Sequence, residues 1–290
     1  MNLTDITTIK ALLETANTGF KKSLGQNFLI NPAVPKKIAA SLTKDGEKPL
    51  NVLEIGPGIG TLTVELSSVS DRVAAVEIDD SLLPILEKTL ADCPNVKVIN
   101  ADILKTDIGR LAEEQFFGEE FSVCANLPYY ITSPILMYLL EGDIKPREII
   151  IMVQKEVAQR LCASPGSPEY GALTAAAAWF GDCERLFAVS AGNFLPKPKV
   201  DSEVIRITPF KSPPYRVSSE QTLRRVIRGA FARRRKTLVN SVSSEFPNME
   251  KERFVKILSV MGLSPDIRGE RLSVEQFAEM TLYIDGEIPL

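Results

Sequence analysis

The chain has 290 residues, 44% of them hydrophobic and 24% charged, a composition that predicts one larger and one smaller folded domain and excludes disorder and collagen-like structure. It contains no histidine, which excludes Ser-His-Asp and Cys-His nucleophilic machinery, His-ligated zinc and imidazole acid–base chemistry. The net charge of −3 is unevenly spread: Arg216 to Asn240 holds eight basic residues against Glu220 alone, a net of +7, which leaves −10 for the rest and predicts an acidic body with one basic face for a polyanion.

In chain order, the apolar spacing of Leu3 to Ala16 predicts a short amphipathic helix. Asp5 and Glu14 stand where a signal peptide would have its apolar core, so the protein is expected in the cytoplasm. A polar, Gly-containing stretch, Lys21-Lys22-Ser23-Leu24-Gly25-Gln26-Asn27-Phe28-Leu29, precedes a second helix over Pro35 to Leu42. From Leu50 onward, strands are predicted at Asn51 to Ile55, Arg72 to Ile78, Val96 to Asn100, Phe121 to Ala125 and Glu148 to Val153. Helices at Thr61 to Ser68, Ser81 to Ala91 and Ser133 to Leu140 separate them, the last with Ser133 as N-cap and Pro134 at its first position. Such βαβ alternation predicts a parallel, doubly wound sheet.

After Val153 come a helix through Cys162, a turn-rich loop from Ser164 to Pro168 and an Ala-rich helix ending near Phe180. That Ala-rich stretch is the longest apolar run and falls far below the roughly 20 residues of a membrane span. Strands near Leu186 to Val189 and Val200 to Ile207 are expected to close the sheet edge. The prolines of Thr208 to Tyr215 read as a linker. Four helices follow: Ser219 to Phe231, Arg234 to Ser243, Glu250 to Met261 and Val274 to Tyr283. The expected domains are thus residues 1–208 and 209–290. Cys93, Cys124, Cys162 and Cys183 form no C-x-x-C pair and read as small apolar residues in a reducing compartment.

The chemistry concentrates at strand ends. Asn51 to Ile55 runs into Gly56-Pro57-Gly58-Ile59-Gly60 and then a helix, so backbone N–H groups can approach a ligand. A purely structural turn is the alternative. Glu77 ends the next strand, where a carboxylate accepts hydrogen bonds from ribose hydroxyls. The G-x-G-x-G pattern is not the dinucleotide G-x-G-x-x-G and counts against NAD. Asp102 follows the third strand, positioned either to meet an adenine amine or to cap a helix. The fourth strand ends in Asn126-Leu127-Pro128-Tyr129-Tyr130. An amide, a carbonyl beside proline and an aromatic ring suit a planar exocyclic amine: acceptors favour its nucleophilic tetrahedral form while Tyr129 stacks on the base.

The chain resembles the ribosomal RNA adenine N6-dimethyltransferase family of the KsgA type. The likeness rests on Gly25-Gln26-Asn27-Phe28-Leu29, Glu54-Ile55-Gly56-Pro57-Gly58, Asn126-Leu127-Pro128-Tyr129, Gln154-Lys155-Glu156-Val157, Phe194-Leu195-Pro196-Lys197-Pro198-Lys199-Val200-Asp201-Ser202 and Arg234-Arg235-Lys236-Thr237-Leu238. The resemblance implies an α/β fold: a Rossmann-like S-adenosylmethionine-dependent methyltransferase sheet with a small C-terminal all-helical domain. It further implies dimethylation of two adjacent adenosines near the 3′ end of small-subunit ribosomal RNA during ribosome biogenesis. Asn27, Leu29, Gly56, Gly58, Glu77, Asp102 and Asn126 would contact the cofactor. Asn126, Leu127, Pro128 and Tyr129 would hold the target amine, with Phe194 covering the other face of the base.

Arg233, Arg234, Arg235 and Lys236 are expected to meet the RNA of a ribosome assembly intermediate, with the protein a monomer and with no metal or membrane involved. Two departures from the family pattern stand out, the acidic overall charge and Tyr130 after the tetrad. Large-subunit RNA methylation of the antibiotic-resistance type and a non-catalytic assembly factor are the competing readings. A nicotinamide oxidoreductase is a distant third.

Overall fold

The computed structural model describes residues 1–21, 24–42 and 51–290; Lys22 and Ser23 of the polar stretch, and Leu50, lie outside the described residues. The elements run α1 (Ile6–Thr15), β1 (Phe28–Leu29), α2 (Ala33–Ser41), β2 (Asn51–Ile55), α3 (Thr61–Val69), β3 (Arg72–Glu77), α4 (Leu83–Thr89), β4 (Val96–Asn100), α5 (Ile108–Phe116), β5 (Ser122–Asn126), α6 (Thr132–Glu141) and β6 (Ile149–Gln154). They continue through α7 (Lys155–Leu161), α8 (Ala172–Phe180), β7 (Gly181–Val189), β8 (Phe194–Leu195), β9 (Ser202–Pro209), α9 (Glu220–Ala232), α10 (Leu238–Val242), α11 (Lys251–Val260) and α12 (Val274–Ile284).

Seven strands form one sheet in the order β4-β3-β2-β5-β6-β9-β7, and β1 pairs with β8 in a separate two-stranded ribbon. The first five sheet strands are parallel, with Val52 opposite Val73, Leu53 opposite Val123 and Val123 opposite Ile149. Within this sheet β9 runs against its neighbour, Ile205 facing Ile151 of β6. Helices on both faces of a parallel sheet bury both sides of its strands. This is why Ile-Ile-Ile-Met-Val of β6 reads as a continuous apolar run, and why β2, Asn-Val-Leu-Glu-Ile, is buried throughout even at its two polar positions. The winding reverses between β2 and β5, so their carboxyl ends flank the crevice where doubly wound sheets take ligands.

The chain divides into two compact units, one comprising Met1–Ala158 and Glu184–Pro209, the other Gln159–Cys183 and Phe210–Leu290. The helical unit therefore takes an excursion from the middle of the chain as well as the C-terminal segment that begins just past the expected boundary at Thr208. Packing explains it. Tyr170, Ala175 and Trp179 of the excursion share one core with Leu223, Val226, Phe254, Phe277 and Met280, and an Ala-rich helix buries little unless larger side chains close over it.

Several local expectations need correction. The sequence reading placed no helix between β4 and β5, yet α5 lies there. Asp107 caps it by accepting from Arg110 N at 3.0 Å, and left-handed Phe117 and Gly118 end it. Ser133 does not cap α6. The turn after Pro128 runs directly into the helix, Ile131 N donating to Pro128 O at 3.1 Å, so the helix opens at Thr132 with no side-chain cap. The basic run is not helical: α9 ends at Ala232, Arg233 to Lys236 form a turn, and α10 begins only after Thr237, which caps it. Cys162 and Cys183 are not isolated either, since their sulfurs face each other at 2.7 Å within the helical unit.

Trp179, the only tryptophan of the chain, sits buried in the helical core and makes a native reporter of that unit. Leu258→Ala, which removes a fully buried side chain from the same core, is expected to destabilise it by about 2–5 kcal/mol. Urea titration followed by tryptophan emission checks this; an unshifted midpoint would show that the cluster does not hold the unit together.

Candidate active site

Four sheet-end segments and the N-terminal stretch around β1 converge on one cleft. Its walls include Gln26, Asn27 and Leu29, the Gly56–Gly58 turn after β2, Glu77 after β3, Asp102 after β4, and Asn126 to Tyr130 after β5. It encloses about 1090 Å³ including its open mouth, room for a nucleoside with a tail. Apolar side chains the sequence reading did not single out, Ile78, Leu82, Ile103 and Ile135, also line it and suit the faces of a purine.

The glycine turn is dictated by its backbone. Gly56, Gly58 and Gly60 all take positive φ, and a Cβ on Gly58 would stand 3.1 Å from the Phe28 ring. That turn frees Gly58 N to donate to Glu77 Oε2 at 3.1 Å, while Asp79 N donates to Glu77 Oε1 at 2.8 Å. Glu77 is buried, and burial raises its pKa against these donors. Each carboxylate oxygen keeps a lone pair for a further donor, as recognition of two vicinal hydroxyls requires.

Asp102 does both things the sequence left open. One oxygen caps the turn after β4 by accepting from Leu104 N at 3.1 Å, and the residue still faces the cleft. Lys105 Nζ stands 3.5 Å from its other oxygen. Leu29 pairs with Phe194 in the β1–β8 ribbon, and its side chain joins the core. Asn27 Nδ2 donates to Gly25 O at 2.9 Å.

Around the tetrad, the amide of Asn126 is oriented by donation from Nδ2 to Asn27 O at 3.3 Å, which directs Oδ1 away as an acceptor. The Pro128 carbonyl is occupied by Ile131 N and Thr132 Oγ1, so the carbonyl left beside Asn126 is that of Leu127. Tyr129 OH lies 2.7 Å from Ser202 Oγ on β9, and burial pushes the phenol pKa up. Ser202 closes the Pro198-Lys199-Val200-Asp201-Ser202 segment, so this hydrogen bond joins that segment to the tetrad. Phe194 stands apart, 2% exposed in the core with Leu29, Met152 and Val204 and absent from the cleft walls. The aromatic ring at the mouth is Tyr130, 60% exposed.

Glu54 is a further site residue, one to which sequence alone gives no role. A carboxylate inside Val-Leu-Glu-Ile was its signal. It is 1% exposed, lines the cleft, and its Oε2 has no hydrogen-bond partner among the described residues. Burial pushes its pKa up to about 8, the charge of Glu77 adding to the effect. An acid kept neutral here is poised to ionise when a cation enters. Among the described residues no cluster of His, Cys, Asp and Glu could hold a metal ion, and no helix is long and apolar enough to cross a membrane.

In the helical unit Arg233, Arg234, Arg235 and Lys236 are all exposed. Arg234 donates to Pro168 O at 2.9 Å and ties the excursion segment to the turn. Arg216 pairs with Glu287, and Arg225 and Arg228 are engaged by Glu245. The outward positive charge thus rests mainly on Arg233, Arg235 and Lys236.

The chain matches the family described as Ribosomal RNA adenine dimethylase over residues 17–285. It is 42% identical over 275 residues to Ribosomal RNA small subunit methyltransferase A of Geobacillus sp. (strain WCH70), and 45% identical over 276 residues to the protein of that name in Bacillus mycoides (strain KBAB4), in each case over 94% of both chains. A dimethyladenosine transferase from Plasmodium falciparum shares the fold at TM-score 0.73 and 24% identity, covering 89% of this chain and 98% of that one. The 23S rRNA methyltransferase ErmE superposes at TM-score 0.69 and 25% identity over 89% of this chain and 99% of its own.

The raised pKa of Glu54 makes stability depend on pH. In the unfolded chain this carboxyl ionises near 4.5 and in the folded one near 8, so between those values the folded state binds more protons and stability falls as pH rises. The Tm is therefore expected to drop as pH rises from about 4.5 to about 8, and Glu54→Gln, which cannot ionise, is expected to flatten that drop. Parallel Tm-against-pH curves for the two proteins would contradict the burial of this acid.

Proposed function

Because this chain belongs to the ribosomal RNA adenine dimethylase family, we propose that it transfers methyl groups from S-adenosylmethionine to the N6 amines of two adjacent adenosines near the 3′ end of small-subunit ribosomal RNA during ribosome biogenesis. The observation that carries the reading is the Asn126–Tyr129 turn opening onto the same cleft as Glu54 and Glu77.

The cleft suits this methyl donor. A buried carboxyl with an unpartnered oxygen and a second carboxylate braced by two N–H groups make a floor that prefers a cation and two hydroxyls. S-adenosylmethionine supplies an electrophilic methyl on a positively charged sulfur. Glu77 takes the ribose, Asp102 the adenine amine with the oxygen not committed to Leu104, and the Gly56–Gly58 turn and the main chain at Asn27 and Leu29 pack around the rest.

The target base is flipped from its stack into the mouth. Asn126 Oδ1 and the Leu127 carbonyl accept the two N6 hydrogens, drawing the nitrogen toward tetrahedral geometry and returning its lone pair from the ring. The same acceptors gain strength as positive charge develops on the attacking nitrogen, so they act on the transition state. Tyr129, tethered to Ser202, offers its ring to the base, and Pro128 keeps the turn rigid. Phe194 supports β1 opposite Leu29 in this arrangement, and the exposed Tyr130 supplies a second ring at the mouth. Arg233, Arg235 and Lys236 meet phosphates, with Arg234 holding the turn that presents them. The likeness to ErmE supports large-subunit RNA as a competing substrate, and the 42–45% identity to small-subunit enzymes weighs more.

Incubation with labelled S-adenosylmethionine and separated subunits tests the reading: label is expected in adenosines of the small subunit, and label confined to the large one would overturn it. Asn126→Ala is expected to lose on the order of 10²-fold or more in single-turnover rate. Tyr129→Phe keeps the ring and most of the rate, whereas Tyr129→Ala loses stacking of about 1–3 kcal/mol per base. Near-normal methylation by Asn126→Ala would remove the tetrad from the mechanism. Replacing Arg233, Arg235 and Lys236 together by Ala is expected to lower the salt slope of RNA binding by up to about 2 in log–log units while leaving methyl-donor affinity unchanged; an unaltered slope would leave the basic turn without a role in binding.

A further inference from the structure

Among the described residues between α1 and β1, the segment that carries Gln26 to Leu29 into the cleft wall forms little regular structure of its own. Its fastening comes from a distant turn. Asp79, 3% exposed and two residues beyond Glu77, accepts from Lys21 Nζ at 2.6 Å and Ser81 Oγ at 2.7 Å through Oδ1, and from Gln26 Nε2 at 2.7 Å through Oδ2. Thr18 Oγ1 and Ser81 Oγ lie 3.0 Å apart, adding a second tie to the same turn. Gln26 Oε1 in turn accepts from Lys21 N at 3.0 Å, so both fastening side chains are locked together. On its other side Asp79 donates its N–H to Glu77 Oε1.

Burial works to raise the Asp79 pKa, but the side-chain hydrogen bonds from Lys21, Ser81 and Gln26, with the charge of Lys21, outweigh burial and hold the carboxyl below its ordinary range. The Lys21 side chain remains 38% exposed, and an ion pair open to solvent on one side adds little to stability, which points to a use beyond holding the fold. The network joins the segment's donors, one carboxylate, the ribose-facing Glu77 and the Gly58 N–H in an unbroken series.

We propose that Asp79 is a positioning residue for the methyl donor: through Lys21 and Gln26 it latches the N-terminal segment against the cleft, and through its own N–H it aims Glu77, so that ordering the wall and recognising the nucleoside are one event. The inference rests on the reading of this cleft as the S-adenosylmethionine site.

Calorimetric titration of S-adenosylmethionine into the full-length protein comes first; absence of binding by the wild type would fail that reading whatever the latch does. Given wild-type binding, Asp79→Asn is expected to weaken affinity about tenfold or more, and Lys21→Met and Gln26→Ala about threefold each. Lys21→Met combined with Asp79→Asn is expected to be no weaker than Asp79→Asn alone, because both remove the same tie. In steady state the KM for the methyl donor rises in step with Kd, and kcat changes much less. Wild-type affinity in Asp79→Asn, or additive effects of the Lys21 and Asp79 substitutions, would overturn the latch. Should Asp79→Asn fail to fold, the Lys21 and Gln26 variants decide it, and unchanged affinity in both would refute it.

Discussion

A carboxylate taken out of water has to be met by donors, and the arrangement of the cleft follows from meeting that demand at Glu77. Two main-chain N–H groups answer it, one from Gly58 and one from Asp79. The first exists because a glycine turn with positive φ follows β2. The second exists because β3 ends in a tight turn, which Asp79 itself caps by accepting from Ser81 N. Both turns are therefore consequences of one buried charge as much as causes of it. The N-terminal segment reaches the site because the same Asp79 has lone pairs left for Lys21 and Gln26.

Parallel pairing does the rest. Strands laid side by side in one direction bring their carboxyl ends to one rim, and reversal of the winding between β2 and β5 leaves that rim open at its centre. Residues as distant in sequence as Gly58, Glu77, Asp102 and Asn126 become neighbours without any direct attraction between them. With its pKa pushed up to about 8 by burial and by the charge of Glu77, Glu54 stays largely neutral at pH 7 and does not set a second bare charge beside Glu77.

The parts of this site legible in sequence are those in which one short segment carries its own instruction. Gly56-Pro57-Gly58 between an apolar run and a helix, Glu77 at a strand end, and the amide–proline–aromatic turn after β5 all belong to that class. Asp79 escaped notice because its role consists of bonds to residues more than fifty positions away. Phe194 lies buried in a two-strand ribbon opposite Leu29, a pairing that its motif alone does not announce, because an exposed loop can carry the same residues. The basic run looked helical because Arg and Lys are good helix formers, whereas the chain turns there to set Thr237 as the cap of the next helix. The Ala-rich helix was assigned to the sheet domain by adjacency in sequence, and its partners lie beyond residue 209.

That last arrangement sets an order on the birth of the protein. Tyr170, Ala175 and Trp179 leave the ribosome before any of α9, α11 or α12 exists, and Phe277 follows Trp179 by roughly a hundred residues, some 5–20 s of synthesis at about 5–20 residues per second. Through that interval the sheet can complete itself with β9 while an apolar helix waits without a core. A nascent chain of this kind offers a hydrophobic target to chaperones, and a transcript cut short before α12 yields a finished sheet carrying an exposed, aggregation-prone excursion.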